Sequence, residues 1–490
     1  MEKIASTLLA FPSGEHVDRF DNGAYDPLAK SHVSKLAKLL KDQAVDIVTH
    51  GPQLLELLNP AVNSLSCVAV LHTLITRDAI TPDNLDLVLE KLTLFLITFD
   101  ARQSRYARAQ LQDVFQAVGT GQLLPPSVAV EALAIAILRL DPTGSLLTPA
   151  HIQLVKLAYS TNNIEPVLQV IDMNIVFYPG MANYGNPKHL CDLSLSPPQY
   201  LSRDSGLVSS LKSTSVLEYD LVRGLIYCSQ REWTKACDAF ERVITFPTRE
   251  GGTSKIMVET YKKWVLVSLL SKGKFVETPS SYTGVSAGKT YGYLAKPYEY
   301  IAARFVTDKA KSLKTDVEKY TEDWQEDGNT GLVQEVLAAY QKWQVLRLEQ
   351  VYSKVSLSEI RQQTTSAETG QALEKDEDVE TLLQNMIISG MLTGVIEKND
   401  DGTTFLTFLP PSILLSEQDF AQELATMALR LKQLHPIFKV TKERLGSNKE
   451  YIKHIIKEEK RAEKNEPDPT LAFDAHVDDE DLMGGVVATG

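Results

Sequence analysis

Leu392-Thr393-Gly394-Val395-Ile396-Glu397-Lys398-Asn399-Asp400-Asp401-Gly402-Thr403-Thr404-Phe405-Leu406-Thr407-Phe408-Leu409 is the stretch that decides the fold of the C-terminal half. Two strand-like runs, Leu392–Lys398 and Thr403–Leu409, flank Asn399-Asp400-Asp401-Gly402, a hairpin turn signal. On the second strand Phe405 and Thr407 face one side and Leu406 and Phe408 the other. Apolar residues on both faces favour burial, and they leave two readings open: an ordinary wing, or an edge that pairs with a neighbour. Immediately upstream, the pattern predicts a long helix over Leu332–Tyr352. Ser356-Leu357-Ser358-Glu359 is a capping box that opens a short helix. A further helix is expected over Asp376–Ser389, stopped at Gly390 in the left-handed conformation. Helices followed by a hairpin spell a winged helix.

Working toward the N-terminus, helix follows helix. In Asn84–Phe99, Leu85, Val88, Leu89, Leu92, Leu96 and Phe99 recur at i, i+3, i+4, i+7. Leu87, Leu94 and Ile97 fall off that stripe, so the helix is covered on more than one side. Similar runs lie at Leu65–Ile75, Val128–Leu140 and Ile152–Tyr159. Thr81-Pro82, Pro125-Pro126, Asp141-Pro142 and Thr148-Pro149 punctuate them, with the proline suited to the first helical position. Repeated helices with short breaks argue for an α-solenoid. Gly224, Tyr227, Ala236 and Phe240 fall at the small/aromatic spacing of a tetratricopeptide-like hairpin, although its leading tryptophan is absent. Lys255–Lys272 reads as another helix, whereas Asn183–Ser215 and Glu277–Tyr293 read as loose, polar insertions.

Beyond the hairpin, Phe420, Leu424, Met427, Leu431, Leu434 and Phe438 are spaced 4, 3, 4, 3, 4, a heptad seam that Pro436 is expected to bend or end. This seam either packs back onto the winged helix or pairs with another chain. Ser447-Asn448-Lys449-Glu450 reads as a second capping box, opening a charged helix to about Arg461. From Lys464 onward seven acidic residues face one basic residue, a composition that resists folding. The expected layout is a mostly α chain. It has N-terminal helical repeats over 1–200, tetratricopeptide-like repeats over 201–330, a winged-helix part over 331–410, C-terminal helices over 411–463 and an acidic tail over 464–490.

The 490 residues are 43% hydrophobic and 23% charged, with a net charge of -13, an ordinary globular composition. The acidic balance argues against nucleic acid. Lys375–Asp401 carries two basic and seven acidic residues where a winged helix would meet phosphate. No run approaches the ~20 apolar residues of a membrane span, and the short apolar start Met1–Phe11 reads as a first helix. Cys67, Cys191, Cys228 and Cys237 have neither disulfide-framework nor zinc spacing. Among the nine histidines (His16, His32, His50, His72, His151, His189, His435, His454 and His476) there is no H-x-H or H-E-x-x-H. Gly284-Val285-Ser286-Ala287-Gly288-Lys289-Thr290 imitates a phosphate loop but is one residue short between the glycines and follows no strand. No catalytic, metal or cofactor site is expected, and no cofactor.

Three blocks carry a resemblance: Ile256-Met257-Val258-Glu259-Thr260-Tyr261-Lys262-Lys263-Trp264-Val265-Leu266-Val267-Ser268-Leu269-Leu270 followed by Gly273-Lys274, then Asn329-Thr330-Gly331-Leu332-Val333, then Leu357-Ser358-Glu359-Ile360. With them the chain resembles the PCI-domain family, shared by the COP-nine signalosome, the proteasome lid and a translation initiation factor, and within it the signalosome's third-subunit branch. The resemblance is concentrated between about residues 215 and 410, and the Pro/Ser-rich insertions depart from the pattern. It implies a non-catalytic scaffold in a complex that removes a ubiquitin-like modifier from cullins and so tunes cullin-RING ubiquitin ligases. In that family the zinc isopeptidase is a different subunit. The resemblance also implies residence in nucleus and cytoplasm, and sibling subunits as partners through winged-helix edges and bundled C-terminal helices. Phe405, Leu406, Phe408, Phe420, Leu424, Met427, Leu431 and Leu434 are the candidate partner interface. The alternative is a PCI scaffold of the lid or of the initiation factor complex.

Overall fold

A computed structural model describes residues 1–12, 21–179, 187–248, 252–275, 285–399, 402–409 and 417–447, with scattered helical positions up to 460. The chain divides into two units, residues 1–410 and 411–490.

In the first unit each helix buries its apolar face on its neighbours in chain order. Pro126–Leu140 packs on Leu85–Thr98 and on Pro149–Thr161, and Pro149–Thr161 then packs on Ser213–Ser229. Ser213–Ser229 packs on Trp233–Ile244, which packs on Lys255–Lys272. One continuous core runs from Ile4 to Ala367, as expected for stacked helical repeats whose single pairs cannot bury themselves. The tetratricopeptide-like pair closes through Gly224. A Cβ there would sit 2.2 Å from the Phe240 ring, so only glycine lets the two helices approach this closely.

Several boundaries differ from the expectation. Thr148-Pro149 opens a helix as foreseen: Thr148 is the N-cap, Pro149 follows, and Thr148 and His151 form a capping box. Pro126 likewise sits at the start of its helix. Asp141-Pro142 opens none, because the Asp141 carboxylate instead accepts the amides of Thr143 and Leu146 and shapes a turn. Thr81-Pro82 precedes its helix by a turn, which begins at Leu85 behind Asn84. The insertion expected to be loose is strapped to the repeats over its described part. Arg105, 4% exposed, donates to the carbonyls of Leu190 and Asp192 and stacks 3.7 Å over the Tyr200 ring. Tyr200 in turn donates to Leu140 O at 3.0 Å, and Leu201, Leu207 and Val208 are buried. The polar composition concealed these few anchors. Val285–Leu294 is helical, so the second insertion narrows, and residues 276–284 lie outside the described residues.

The first unit ends in a three-stranded antiparallel sheet, β1 Lys354–Ser356, β2 Gly394–Lys398 and β3 Thr404–Phe408, in the order β1-β3-β2. The hairpin β2–β3 was legible; the three residues of β1 are too few for a periodic signal. The turn closes through Gly402 N–H to Asn399 O, with Gly402 at φ 79°; Asp400 and Asp401 lie outside the described residues. Ser356 caps its helix by accepting the Glu359 amide at 3.3 Å, whereas the Glu359 side chain accepts from Gln363. Only half of the expected capping box therefore forms. Gly390 takes φ 71° behind Asp376–Ile388, as expected.

Two buried histidines tie stability to pH. His32 Nε2 lies 3.0 Å from Ser66 Oγ, which donates to Leu8 O. His151 Nδ1 accepts the Thr148 amide at 3.2 Å, which requires an unprotonated Nδ1. Burial lowers both to about 4 from 6.5. A lowered histidine pKa means that the unfolded chain binds more protons between those values, so stability is lost as pH falls from 6.5 toward 4. Each site is worth roughly 3 kcal/mol over the full window. Urea midpoints of the full chain are expected to drop steeply across that window, and His151→Gln is expected to flatten the slope. A pH-independent midpoint would contradict this.

Candidate partner-binding surfaces

The winged helix is tied to the repeats by one long helix, whose start is set by a polar clasp, and by Ala367, which is buried in the solenoid core. Thr330–Leu348 contributes Val333, Val336 and Tyr340 to the solenoid core and Val345 to the separate winged-helix core. Its start is fixed by the meeting of two of the sequence blocks quoted above. Lys262 Nζ lies 2.7 Å from Asp327 Oδ1, and Lys263 Nζ donates to Asn329 Oδ1 at 2.7 Å. Asn329 Nδ2 donates to the Tyr298 hydroxyl, which donates to Asp327 Oδ2, each at 2.7 Å. Burial raises the Tyr298 phenol and lowers the Lys263 ammonium from their ordinary values. Tyr298 therefore stays protonated as the donor that the ring of contacts needs. Asn329 is 1% exposed, and its side chain both accepts and donates within the clasp, as a buried amide requires. At the other end of Lys255–Lys272, Gly273 takes φ 66° beneath Trp343, where a Cβ would lie 2.2 Å from the indole.

The winged-helix core gathers Val355, Leu357, Ile360, Val379, Leu383, Met386, Leu406 and Phe408. This corrects the interface expectation for two residues. Leu406 is 0% and Phe408 8% exposed, so both side chains are spent inside the module. Register places Phe405 opposite Glu397 and Ser356 on the other face. There Lys354 reaches Glu397 at 3.0 Å and sits 5.1 Å over the Phe405 ring. The Lys354 ammonium holds Glu397 below its ordinary value. Among the described residues β2 is an outer strand, with β3 on one side only.

The second unit presents Glu417–Ser447, a 31-residue helix. It runs on through Pro436, so the proline does not end it; the proline removes one backbone hydrogen bond, and the turns on both sides remain helical. Ser447 is itself helical, so it does not act as the N-cap of a new helix; Asn448 and Glu450 lie outside the described residues. Phe420, Leu424, Met427, Leu431, Leu434 and Phe438 are 47–69% exposed. That is a continuous apolar stripe of six large side chains.

Among the described residues no three His, Cys, Asp or Glu side chains converge as a metal site; His16, His454 and His476 lie outside them. Burial pushes the thiols of Cys67 and Cys228 up to about 12 and that of Cys237 to about 11, which keeps them protonated and weakly nucleophilic. The phosphate-loop imitation is helical from Val285 through Thr290, so its residues form no loop around an anion; Gly284 lies outside the described residues. Among the described residues no helix is long and apolar enough to cross a membrane.

Comparison with known proteins places this geometry. Residues 28–191 and 199–286 match the family described as COP9 signalosome complex subunit 3, N-terminal helical repeats. A COP9 signalosome complex subunit 3 of Neurospora crassa is 38% identical over 462 residues, covering 93% of this chain and 92% of the relative. One of Emericella nidulans is 28% identical over 449 residues, covering 88% and 89%. The family match reaches back to residue 28, into the half where the sequence blocks gave little resemblance.

Gly273→Ala is expected to cost about 2–4 kcal/mol, by overpacking against Trp343 and by left-handed strain. A thermal melt would read this as a lowered midpoint, with altered indole fluorescence. A variant within ~0.5 kcal/mol of the parent would contradict the contact.

Proposed function

The chain belongs to the COP9 signalosome subunit 3 family, and from that premise we propose how it acts. It is a non-catalytic scaffold of the signalosome, the complex that removes a ubiquitin-like modifier from cullins and regulates cullin-RING ligases. The isopeptidase lies on another subunit, and this chain reaches the ligases only through its siblings. The observation that carries the reading is the exposed stripe from Phe420 to Phe438 on Glu417–Ser447. Six large apolar residues at heptad spacing are costly to leave in water and suit packing against partner helices. The outer strand β2 supplies a second contact, with backbone groups free to extend a neighbour's sheet.

Nucleic acid is a poor partner for this module. Asp376, Glu377 and Asp378 open the Asp376–Ile388 helix, all of them exposed, so the surface repels phosphate. The lid and the initiation factor complex draw no support from the two relatives, both of them signalosome subunits. Family membership also supports residence in nucleus and cytoplasm, where fluorescence of a tagged full-length chain would test it.

Leu424→Asp with Leu431→Asp is expected to leave the helical circular dichroism unchanged and to weaken assembly with sibling subunits at least tenfold, about 1.4 kcal/mol or more. Co-expression followed by affinity purification reads this directly. Undiminished recovery of the siblings would overturn the proposal.

A further inference from the structure

The helices Lys296–Phe305 and Ala310–Lys319 carry a surface feature that the scaffold reading does not use. Tyr300, 46% exposed, stacks on Tyr320 with ring centroids 6.5 Å apart and planes 10° from parallel. Lys296 Nζ lies 5.8 Å from the Tyr300 centroid, and Lys319 Nζ lies 5.0 Å from that of Tyr320. Seven residues before Tyr300 in the chain, Tyr293 is 81% exposed, the largest exposure of any aromatic side chain among the described residues. The neighbouring charges behave differently. Arg304 is paired with Asp316 at 3.0 Å, and Glu299 is turned to the Tyr261 hydroxyl at 3.0 Å. Among the described residues, no carboxylate comes within ion-pair distance of Lys296 or Lys319.

We propose that the Lys296–Tyr300–Tyr320–Lys319 ladder is a docking strip for a short acidic segment of a neighbouring subunit, with carboxylates on the two ammonium groups and an apolar side chain on the rings. The aromatic faces hold the lysines in place, which lowers the entropy lost when a carboxylate arrives. Exposed tyrosines are the residues that anchor protein interfaces. Charge selects the occupant. Glu318, Glu322 and Asp323 lie in or beside the same helices, so the strip offers two point cations rather than a positive field. Two point cations suit one or two carboxylates, whereas a nucleic-acid backbone needs several neutralised phosphates.

The proposal rests on the scaffold reading, and the test separates the two. A photo-crosslinking amino acid is placed at position 300 of the full chain, and in a second sample at Leu431, and the co-purified complex is irradiated and digested. The expected result is that position 300 joins an acidic peptide of another subunit, with a yield reduced at least fivefold in Lys296→Glu/Lys319→Glu. A crosslink to a basic peptide or to RNA would overturn the docking strip. Crosslinks from position 431 but none from 300 would overturn it while leaving the scaffold reading intact. Crosslinks from neither position would remove both.

Discussion

The structure depends on one constraint: Thr330–Leu348 belongs to two cores at once. A helix that buries Val336 in the repeats and Val345 in the winged helix cannot rotate without emptying one of them. The Lys262–Asp327 and Lys263–Asn329 contacts fix where it starts, and the glycine under Trp343 fixes how close it lies to the end of Lys255–Lys272. A mobile winged helix would present its strand edge over a range of directions. A clasped one presents it in one direction, which is what assembly with several neighbours requires.

The division of apolar surface follows the same logic. In the first unit most large apolar side chains are consumed internally, including Leu406 and Phe408, which alternate with the outward-facing Phe405 and Thr407, while Tyr293, Val351 and Ile388 stay exposed. In the second unit the large side chains from Phe420 to Phe438 are exposed. Buried polar groups are mostly turned to structure: His151 caps a helix, Arg105 straps an insertion, and Asn329 closes the clasp. The acids and thiols that might otherwise suggest chemistry are likewise committed, as Asp327 is to Lys262 and Tyr298.

Much of this was legible in the sequence, because periodicity reports burial. The heptad spacing of Phe420–Leu434, the hairpin around Gly402 and the small/aromatic pair Gly224–Phe240 each follow from side-chain geometry within a few residues. What was not legible depends on distant contacts. β1 is strand only because β3 lies beside it. The polar insertion is ordered through Arg105, some 85 residues away from Leu190. Pro436 carried a local signal for a bend or an end and Ser447 one for a start, and the helix neither ends at the first nor begins at the second. The sequence blocks near residues 260 and 329, well separated along the chain, meet in one clasp, a contact that spacing alone does not reveal.

On the proposed reading, the exposed stripe and the exposed strand edge are the surfaces that sibling subunits cover. Hydrogen–deuterium exchange of the full chain, alone and within the assembled complex, tests this most directly. Strong protection of residues 417–447 and of β2 is expected on assembly, with exchange in Lys255–Lys272 unchanged. Equal exchange of residues 417–447 in both states would contradict it.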